Sequence, residues 1–281
     1  NEIEKLTLDD KRLFHSSDIK SVEDAFLSYS IDERTRSFVK IQDGCNYSCT
    51  YCTIPMARGV SRSPRIDQII KNIKKIESSN INEIILSGIN VGDFGRGNNE
   101  SFYSLLESIK NLTKVPRVRI SSIEPNLITK KVLELIGSWE RFMPHLHIPL
   151  QSGSNNILRK MKRKYTAEMY INKIEEVKKI IPKCTIGADV IVGFPGEKDH
   201  DFKQSYDLIT SLPISYLHVF PFSSRENTAA YEMKDKVKFD VKKARAKILR
   251  KLSNLKFKKL QAENINCIKP VLFEFNNNGF M

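Results

Sequence analysis

From Phe38 onward, short apolar runs rich in β-branched residues alternate with longer stretches whose apolar positions recur at helical spacing. Six runs predict strands at Phe38–Ile41, Glu83–Ser87, Arg117–Ser121, His145–Leu150, Thr185–Val192 and Tyr216–Phe220. The intervening stretches predict helices at about Asp67–Ser78, Phe102–Leu112, Lys130–Ile136, Ala167–Ile181 and Asp201–Leu212. Strands that alternate with amphipathic helices are typical of βα units and a parallel sheet.

This pattern predicts an α/β fold. Six βα units with right-handed crossovers can curl into an open, three-quarter (β/α)6 barrel, whose active site lies at the C-terminal ends of the strands. A flat, doubly wound sheet is the alternative, because hydrophobic periodicity does not distinguish the two arrangements.

The two ends of the chain have a different texture. Residues 1–36 are polar with scattered apolar positions, and we interpret them as a linker to a preceding domain. Residues 37–265 form the predicted core domain, which ends in a long basic helix at Asp240–Glu263. Residues 266–281 begin a new strand pattern at Lys269–Phe275 that is too short to bury a core of its own.

The net charge of the chain bears on which partner it binds. The 281 residues carry 46 Lys and Arg against 33 Asp and Glu, a formal net charge of +13, which suits a polyanion such as nucleic acid. A Lys-rich soluble protein is the alternative. The cations cluster after the first strand, in a run after the fourth and along the last helix: Arg58, Arg62, Arg65, Arg159–Lys164, Lys242, Lys243, Arg245, Lys247, Arg250, Lys251, Lys256, Lys258 and Lys259.

The expected cellular location follows from three observations. No apolar run approaches the roughly 20 residues that span a bilayer, and the polar start lacks the apolar core of a signal peptide. Five cysteines are an odd number that suits a disulfide framework poorly. We therefore expect a reducing, cytoplasmic environment and no membrane partner.

Three of the cysteines, Cys45, Cys49 and Cys52, lie in one loop directly after the first predicted strand. Thiolates suit iron-sulfur clusters, and this spacing lets one loop hold three corners of a 4Fe-4S cube while one iron stays open. A structural zinc site and a buried thiol cluster are the alternatives, but no second cysteine pair or nearby histidine completes a zinc site.

Six segments carry a family resemblance, which runs from about Phe38 to Glu263. They are GCNYSCTYCTIPMARG, LSGINVGDFG, RISSIEPN, HIPLQSGSNNILRKMKRKYT, IGADVIVGFPGE and HVFPFSSR. Together they resemble the methylthiotransferases of the radical S-adenosylmethionine superfamily, and the second and third most resemble the branch that acts on threonylcarbamoyladenosine in tRNA.

That resemblance implies an enzyme that inserts a methylthio group at C2 of N6-threonylcarbamoyladenosine next to the anticodon. Its implied cofactors are the 4Fe-4S cluster and S-adenosylmethionine, and its implied partners are the tRNA anticodon stem-loop and a cellular electron donor. The alternatives are the isopentenyladenosine tRNA enzyme, the ribosomal-protein enzyme and a radical RNA methylase. A non-catalytic RNA-binding module with a structural metal is an alternative of another class.

The resemblance also implies a binding site for S-adenosylmethionine. The Ser87–Gly88 turn is expected to face the methionine amino group, Ser122 and Glu124 the ribose, and the backbone of Val192 the adenine. Tyr51, beside Cys52, is expected to face the cluster or the nucleoside, and packing in the core is its alternative. Ser122 finishing a turn and Glu124 capping a helix are the corresponding structural alternatives.

The chain departs from this family at both ends. Family members resemble three-part proteins, with three further cysteines for an auxiliary 4Fe-4S cluster in an N-terminal domain and a C-terminal small β-barrel that contacts RNA. Here the first part is missing and the third is only begun, so we expect a piece of a longer enzyme. Cys184 and Cys267 are interpreted as a buried apolar residue and a chance thiol.

Overall fold

The computed structural model describes residues 19, 22, 27–30, 35–79 and 81–273. Six strands lie in this part of the chain: β1 (Arg36–Lys40), β2 (Glu83–Ser87), β3 (Arg117–Ile120), β4 (His145–His147), β5 (Thr185–Val192) and β6 (Tyr216–Pro221). Eight α-helices accompany them: α1 (Ile54–Arg58), α2 (Ile66–Glu77), α3 (Phe102–Leu112), α4 (Lys130–Gly137), α5 (Asn155–Lys160), α6 (Ala167–Ile180), α7 (Asp199–Ser211) and α8 (Phe239–Ala262).

All six strands are parallel and follow one another in chain order. β1, β2 and β3 form one hydrogen-bonded group and β4, β5 and β6 a second, and a parallel bridge between Ser122 and His147 joins the two. A doubly wound sheet reverses its strand order at a switch point, and none of the described strands does so. The curled, open arrangement is therefore confirmed, with no pairing between β1 and β6 among the described residues.

Each strand has one face under the helices and one face toward the inside of the curl, because successive side chains point to opposite sides. On β5, Ile186, Ala188 and Val190 are buried, whereas Asp189 and Ile191 on the other face are half-buried. We call the space enclosed by these inner faces the lumen. Its walls carry polar and charged groups, as a binding cavity requires and a closed apolar core does not.

The helices cover the outer faces through apolar stripes. On α2, Ile69, Ile73 and Ile76 are fully buried, while the lysines of the same helix face solvent. The long helix α8 packs along β6, where the Ser253 hydroxyl accepts a hydrogen bond from the Leu217 amide at 2.8 Å. Among the described helices, none combines the length and the apolar character that a membrane crossing needs.

The predicted elements differ from the observed ones at several ends, most of all in the fourth strand, and two helices were missed. The fourth strand ends at His147 rather than Leu150, because Pro149 has no amide hydrogen to donate to a ladder. The short helices α1 and α5 were not predicted.

The flanking regions are described only in part. Tyr29 forms an antiparallel bridge with Val39, so residues 27–30 lie beside β1 at the edge of the curl. The strand predicted at Lys269–Phe275 is absent through Phe273, and its last two positions lie outside the described residues. Most of the linker predicted at 1–36, namely residues 1–18, 20, 21, 23–26 and 31–34, also lies outside them.

Arg245 of α8 has a structural role. Arg245 is buried, donates to the buried Glu197 carboxylate at 2.6 Å and reaches the exposed Asp199 at 2.7 Å. The sequence analysis placed Arg245 among the cations available to nucleic acid, and that assignment was wrong because the guanidinium is already used.

We expect Arg245→Ala to lower the free energy of unfolding by about 3–5 kcal/mol, because it leaves the Glu197 carboxylate buried without its partner. Urea unfolding followed by circular dichroism measures this change. Lys247→Ala, two residues along on the exposed face of α8, is the control and should stay within about 0.5 kcal/mol of the unsubstituted protein. Equal effects of the two changes would contradict this role for the pair.

Candidate active site at the carboxyl ends of the strands

The cysteine loop leaves β1 at the rim formed by the carboxyl ends of the strands. The Cys45 amide donates to the Gly59 carbonyl at 3.1 Å, and the Cys52 amide donates to the Cys49 carbonyl at 3.1 Å. Gly44 has a φ of +69°, and a Cβ there would lie 2.0 Å from the Val60 carbonyl oxygen. The backbone therefore fixes a tight loop that only glycine can begin.

Gln42 joins this loop to the turn after β2. Its buried side-chain amide donates to the Gly44 carbonyl at 2.8 Å and to the Ser61 hydroxyl at 2.9 Å. Its carbonyl oxygen accepts from the Asn90 amide at 2.8 Å. A Cβ on Gly88 would lie 3.0 Å from Gln42, so glycine is needed for the turn to approach this closely. The sequence analysis missed Gln42, because a lone glutamine after a strand carries no recognisable pattern.

The distances between the sulfur atoms of Cys45, Cys49 and Cys52 indicate which metal group these residues can bind. In the described part of the chain, the one group of three His, Cys, Asp or Glu ligand atoms within 4.8 Å of one another is His147, Asp189 and His218. The three cysteine sulfurs are thus spread more widely. Sulfurs on a tetrahedral zinc ion with Zn–S bonds of 2.3 Å would lie about 3.8 Å apart. A cube with iron at its corners accepts wider spacing, so the loop fits an iron-sulfur cluster better than zinc.

Arg163 brings three segments of the rim together. Its guanidinium lies 3.1 Å from the Cys49 sulfur and 3.3 Å from the Tyr51 hydroxyl, and it donates to the Glu124 carboxylate. Its carbon also lies 5.1 Å from the centre of the Tyr165 ring. The sequence analysis counted Arg163 among cations for nucleic acid, which was wrong because its side chain is only 4% exposed.

Arg163 partly offsets the effect of burial on the charges of the neighbouring groups. Burial raises the pKa of the Cys49 thiol, and the adjacent Arg163 guanidinium opposes that rise. Burial likewise raises the pKa of Glu124, with Arg163 again opposing. Metal ligation requires the thiolate form, so a fixed cation beside Cys49 supports the negative charge that a ligand must carry.

The residues expected to bind S-adenosylmethionine lie at this rim in different settings. Tyr51 and Glu124 meet at Arg163, and the Tyr51 ring also packs edge-on against Phe194, with ring centres 6.2 Å apart. The Ser122 hydroxyl lies 2.6 Å from Nδ1 of His147 rather than finishing a turn alone. Glu124 precedes a short 3-10 turn without capping it through its side chain.

Ser87 and Val192, the other residues expected to bind S-adenosylmethionine, already make contacts within the protein. The Ser87 hydroxyl donates to the Val39 carbonyl at 3.3 Å, next to the Gly88 turn. The Val192 side chain is buried in the core, and its carbonyl accepts from the Phe222 amide at 2.8 Å. Any contact that Val192 makes with a ligand must therefore come from its backbone rather than from its side chain.

Further polar groups beside the cysteine loop were not predicted. The Tyr47 hydroxyl accepts from the Asn126 amide at 2.7 Å. One oxygen of Asp93 and the side-chain oxygen of Asn126 are buried without a hydrogen-bond partner among the described residues. Buried polar atoms of this kind are normally satisfied, so they mark a place for a polar ligand or ordered water. Their position just after strands was the available signal.

Arg62, which was also assigned to the cations for nucleic acid, is buried and lies 3.2 Å from the Asp43 carboxylate. That assignment was therefore wrong as well. Ser154 is the residue before helix α5, and its hydroxyl donates to the buried Asp201 carboxylate at 2.6 Å.

An open parallel curl with a three-cysteine loop at its carboxyl rim defines a class of cofactor-dependent α/β enzymes, and comparison with known proteins names the class. Residues 39–209 match the radical SAM superfamily. The chain belongs to that superfamily.

Solved structures agree on the fold. The chain is similar to the radical S-adenosylmethionine methyltransferase TsrM from Kitasatospora setae, with a TM-score of 0.59 and 13% identity over 69% of this chain and 38% of that one. It is also similar to coproporphyrinogen III oxidase from Escherichia coli, with a TM-score of 0.55 and 17% identity over 82% of this chain and 51% of that one.

Curated relatives are much closer in sequence. The chain is 40% identical to threonylcarbamoyladenosine tRNA methylthiotransferase MtaB of Bacillus subtilis, over 86% of this chain and 54% of the relative. It is 36% identical to tRNA-2-methylthio-N(6)-dimethylallyladenosine synthase of Pelotomaculum thermopropionicum, over 86% and 54%. The chain thus spans about half the length of these relatives.

Gly44 gives a direct test of the cysteine loop. We expect Gly44→Ala to lower the thermal unfolding midpoint by several degrees and to reduce iron bound after anaerobic reconstitution, because the new methyl group meets the Val60 carbonyl. Gly97→Ala is the matched control: Gly97 also has a positive φ, of +95°, but its Cβ would meet nothing within 4 Å. Loss of iron in both variants would show that the loop is not the cause.

Proposed function

We propose that this chain is the radical domain of a tRNA methylthiotransferase that converts N6-threonylcarbamoyladenosine, next to the anticodon, into its 2-methylthio form. The observation that carries the proposal is the three-cysteine loop, tied by Gln42 and Arg163 to the turns after β2 and β3. The loop lies where α/β barrels place their chemistry.

Cys45, Cys49 and Cys52 would hold a 4Fe-4S cluster with one open iron, beside a site for S-adenosylmethionine. Together these two cofactors supply a 5′-deoxyadenosyl radical when the cluster is reduced. Such a reagent suits the reaction, because carbon 2 of an adenine has a strong C–H bond and no acidic proton for a base to remove.

In this proposal, residues of the chain position the cofactors and exclude water from the site. The Arg163 guanidinium supports thiolate charge at Cys49 and holds Glu124 at the rim, where a carboxylate can accept hydrogen bonds from ribose hydroxyls. The Ser87–Gly88 turn brings backbone groups close to the loop. Tyr51 and Phe194 close one side with aromatic rings, which keeps water from a reactive radical.

The nucleic-acid part of the proposal is supported by exposed cations. In the last turn of α5, in the loop that follows it and on α8, one arginine and seven lysines are exposed to solvent: Arg159, Lys162, Lys164, Lys243, Lys247, Lys251, Lys258 and Lys259. Exposed lysines and arginines bind the phosphates of nucleic acids. Sequence-specific RNA recognition favours unpaired bases, such as those of an anticodon loop.

Activity of the whole protein needs parts outside this chain. The chain spans about half the length of the curated relatives it matches, one named a tRNA methylthiotransferase and the other a tRNA-2-methylthio-N(6)-dimethylallyladenosine synthase. We assign the auxiliary 4Fe-4S cluster to an N-terminal domain of the full-length protein and further RNA contacts to a small C-terminal β-barrel. An electron donor of the cell would reduce the radical cluster.

The test uses cells that lack the gene for the full-length protein. Cells given back the Cys49→Ala protein should show no 2-methylthio-threonylcarbamoyladenosine in nucleoside mass spectrometry of their tRNA, because the cluster loses one of three ligands. Cells given the unsubstituted protein or Cys267→Ala, whose thiol is exposed beyond α8, should show the normal level.

Two outcomes would contradict the proposal at different points. Normal methylthiolation by Cys49→Ala would remove the cluster from the reaction. Loss of 2-methylthio-isopentenyladenosine, with the threonylcarbamoyl nucleoside still methylthiolated, would keep the radical chemistry and overturn the substrate.

A further inference from the structure

The floor of the lumen carries a charge that the radical chemistry does not use. We call Glu83, Arg117, Arg119, His145 and Tyr216 the lumen floor, because they lie on the inner faces of β2, β3, β4 and β6. Arg119 pairs in register with Ile85, two residues before Ser87 at the rim. It therefore lies about 6.6 Å below the rim along the strand direction.

Arg119 is a cation with almost no partner. One of its terminal nitrogens lies 3.9 Å from Glu83, and the guanidinium makes no hydrogen bond to any described residue. The side chain is 30% exposed, so most of it is out of water. A guanidinium offers five donors in a planar fork that matches a carboxylate. None of the Arg119 nitrogens is a fully buried atom without a partner, so these donors reach solvent and are available to a ligand.

The nearby carboxylate does not neutralise Arg119. Glu83 is buried, and its other oxygen accepts from Arg117 at 2.8 Å. One carboxylate is thus shared by two guanidinium groups, which leaves the pair of arginines with one excess positive charge. The shorter contact belongs to Arg117, so the excess charge lies at Arg119.

His145 and Tyr216, which lie opposite Arg119 in the lumen floor, do not neutralise its positive charge. His145 Nε2 lies 2.8 Å from the Tyr216 hydroxyl, and the two rings stack with centres 6.1 Å apart. The Tyr216 ring can cross β5 because Gly187 has no side chain there, and a Cβ would lie 2.4 Å from the ring. Burial, together with Arg119, lowers the pKa of His145 to about 4, so His145 is neutral near pH 7.

The groups above the floor are already paired with each other. Asp189 lies 3.1 Å from Nε2 of His147 and 3.1 Å from Nδ1 of His218, and both contacts use the same carboxylate oxygen. On the β1 side, Lys40 is paired with Asp43 at 2.7 Å. Among these charged groups of the lumen, Arg119 is therefore the one whose positive charge an anionic ligand would neutralise.

We propose that Arg119 binds a carboxylate carried by the side chain of the substrate nucleoside. The inference rests on the proposed function, since it takes a modified adenosine at the rim as the substrate and places the far end of its N6 substituent in the lumen. A threonylcarbamoyl group ends in a carboxylate that fits the guanidinium fork.

The same arginine would act against an apolar substituent. An isopentenyl group in the lumen would remove water from the guanidinium without replacing its hydrogen bonds, and an unpaired buried cation disfavours that complex. Arg119 is thus a specificity-determining residue in this proposal, separate from the groups that hold the cofactors.

The experiment uses the full-length holoenzyme and synthetic anticodon stem-loops that carry threonylcarbamoyladenosine or its carboxamide, which lacks the charge. Fluorescence anisotropy without reductant gives the dissociation constants. The unsubstituted enzyme should bind the carboxylate at least about tenfold more tightly than the carboxamide, as a charge-assisted contact predicts. Arg119→Met should abolish that preference, and Arg119→Lys should retain part of it.

Two controls separate this role from a structural one. Lys131→Met, on the exposed face of α4, should keep the full preference. Arg119→Met should also keep the thermal midpoint of the unsubstituted enzyme and its rate of 5′-deoxyadenosine formation in the absence of RNA.

Each other result overturns a specific statement. A preference that survives Arg119→Met shows that the carboxylate binds elsewhere and leaves the proposed function intact. A higher KM for S-adenosylmethionine in Arg119→Met would show that the arginine serves the cofactor instead. An unsubstituted enzyme that methylthiolates the isopentenyl stem-loop and not the threonylcarbamoyl one would overturn the proposed function and this inference together.

Discussion

The sequential parallel pairing of six strands decides where every functional side chain lies. Because all strands run the same way, their carboxyl ends meet at one rim, and loops that are far apart in sequence become neighbours there. The same pairing gives each strand an outer face for helices and an inner face for the lumen. A change in strand order would separate the cysteine loop after β1 from the turns after β2 and β3, and with them Gln42 and Arg163 from their partners.

Arg163 shows how the rim is held together and at what energetic cost. Burying a guanidinium and a carboxylate removes both from water, and such a pair commonly adds little net stability. Arg163 also touches Cys49 and Tyr51, so its position is explained by the charge it places beside the loop rather than by the stability of the fold. The same reasoning separates it from Arg245, whose partners lie away from the cysteine loop.

The elements could be predicted from sequence where the signal is local. β2 and β5 have the predicted bounds, since segments rich in isoleucine and valine between turn residues leave few other interpretations. The cysteine loop was predicted from the spacing of three thiols. Arg163 could not be, because a run of cations at 159–164 normally marks a solvated surface, and its burial arises from strands far away in sequence.

The inner groups were harder still to predict. Gln42 and Arg119 matter through partners on neighbouring strands, and Tyr216 reaches His145 only because Gly187 lies between them. These contacts depend on register and on the curl of the sheet, neither of which hydrophobic periodicity contains. Residues that join distant strands therefore became visible only with the fold.

The central claim is that three thiolates at the rim hold an iron-sulfur cluster that activates S-adenosylmethionine. Metal and sulfide analysis of the anaerobically reconstituted chain, followed by chromatography for 5′-deoxyadenosine after addition of dithionite and S-adenosylmethionine, tests it most directly. The account predicts about four iron and four acid-labile sulfide per chain and formation of 5′-deoxyadenosine. Tightly bound zinc without sulfide, and no 5′-deoxyadenosine, would contradict it.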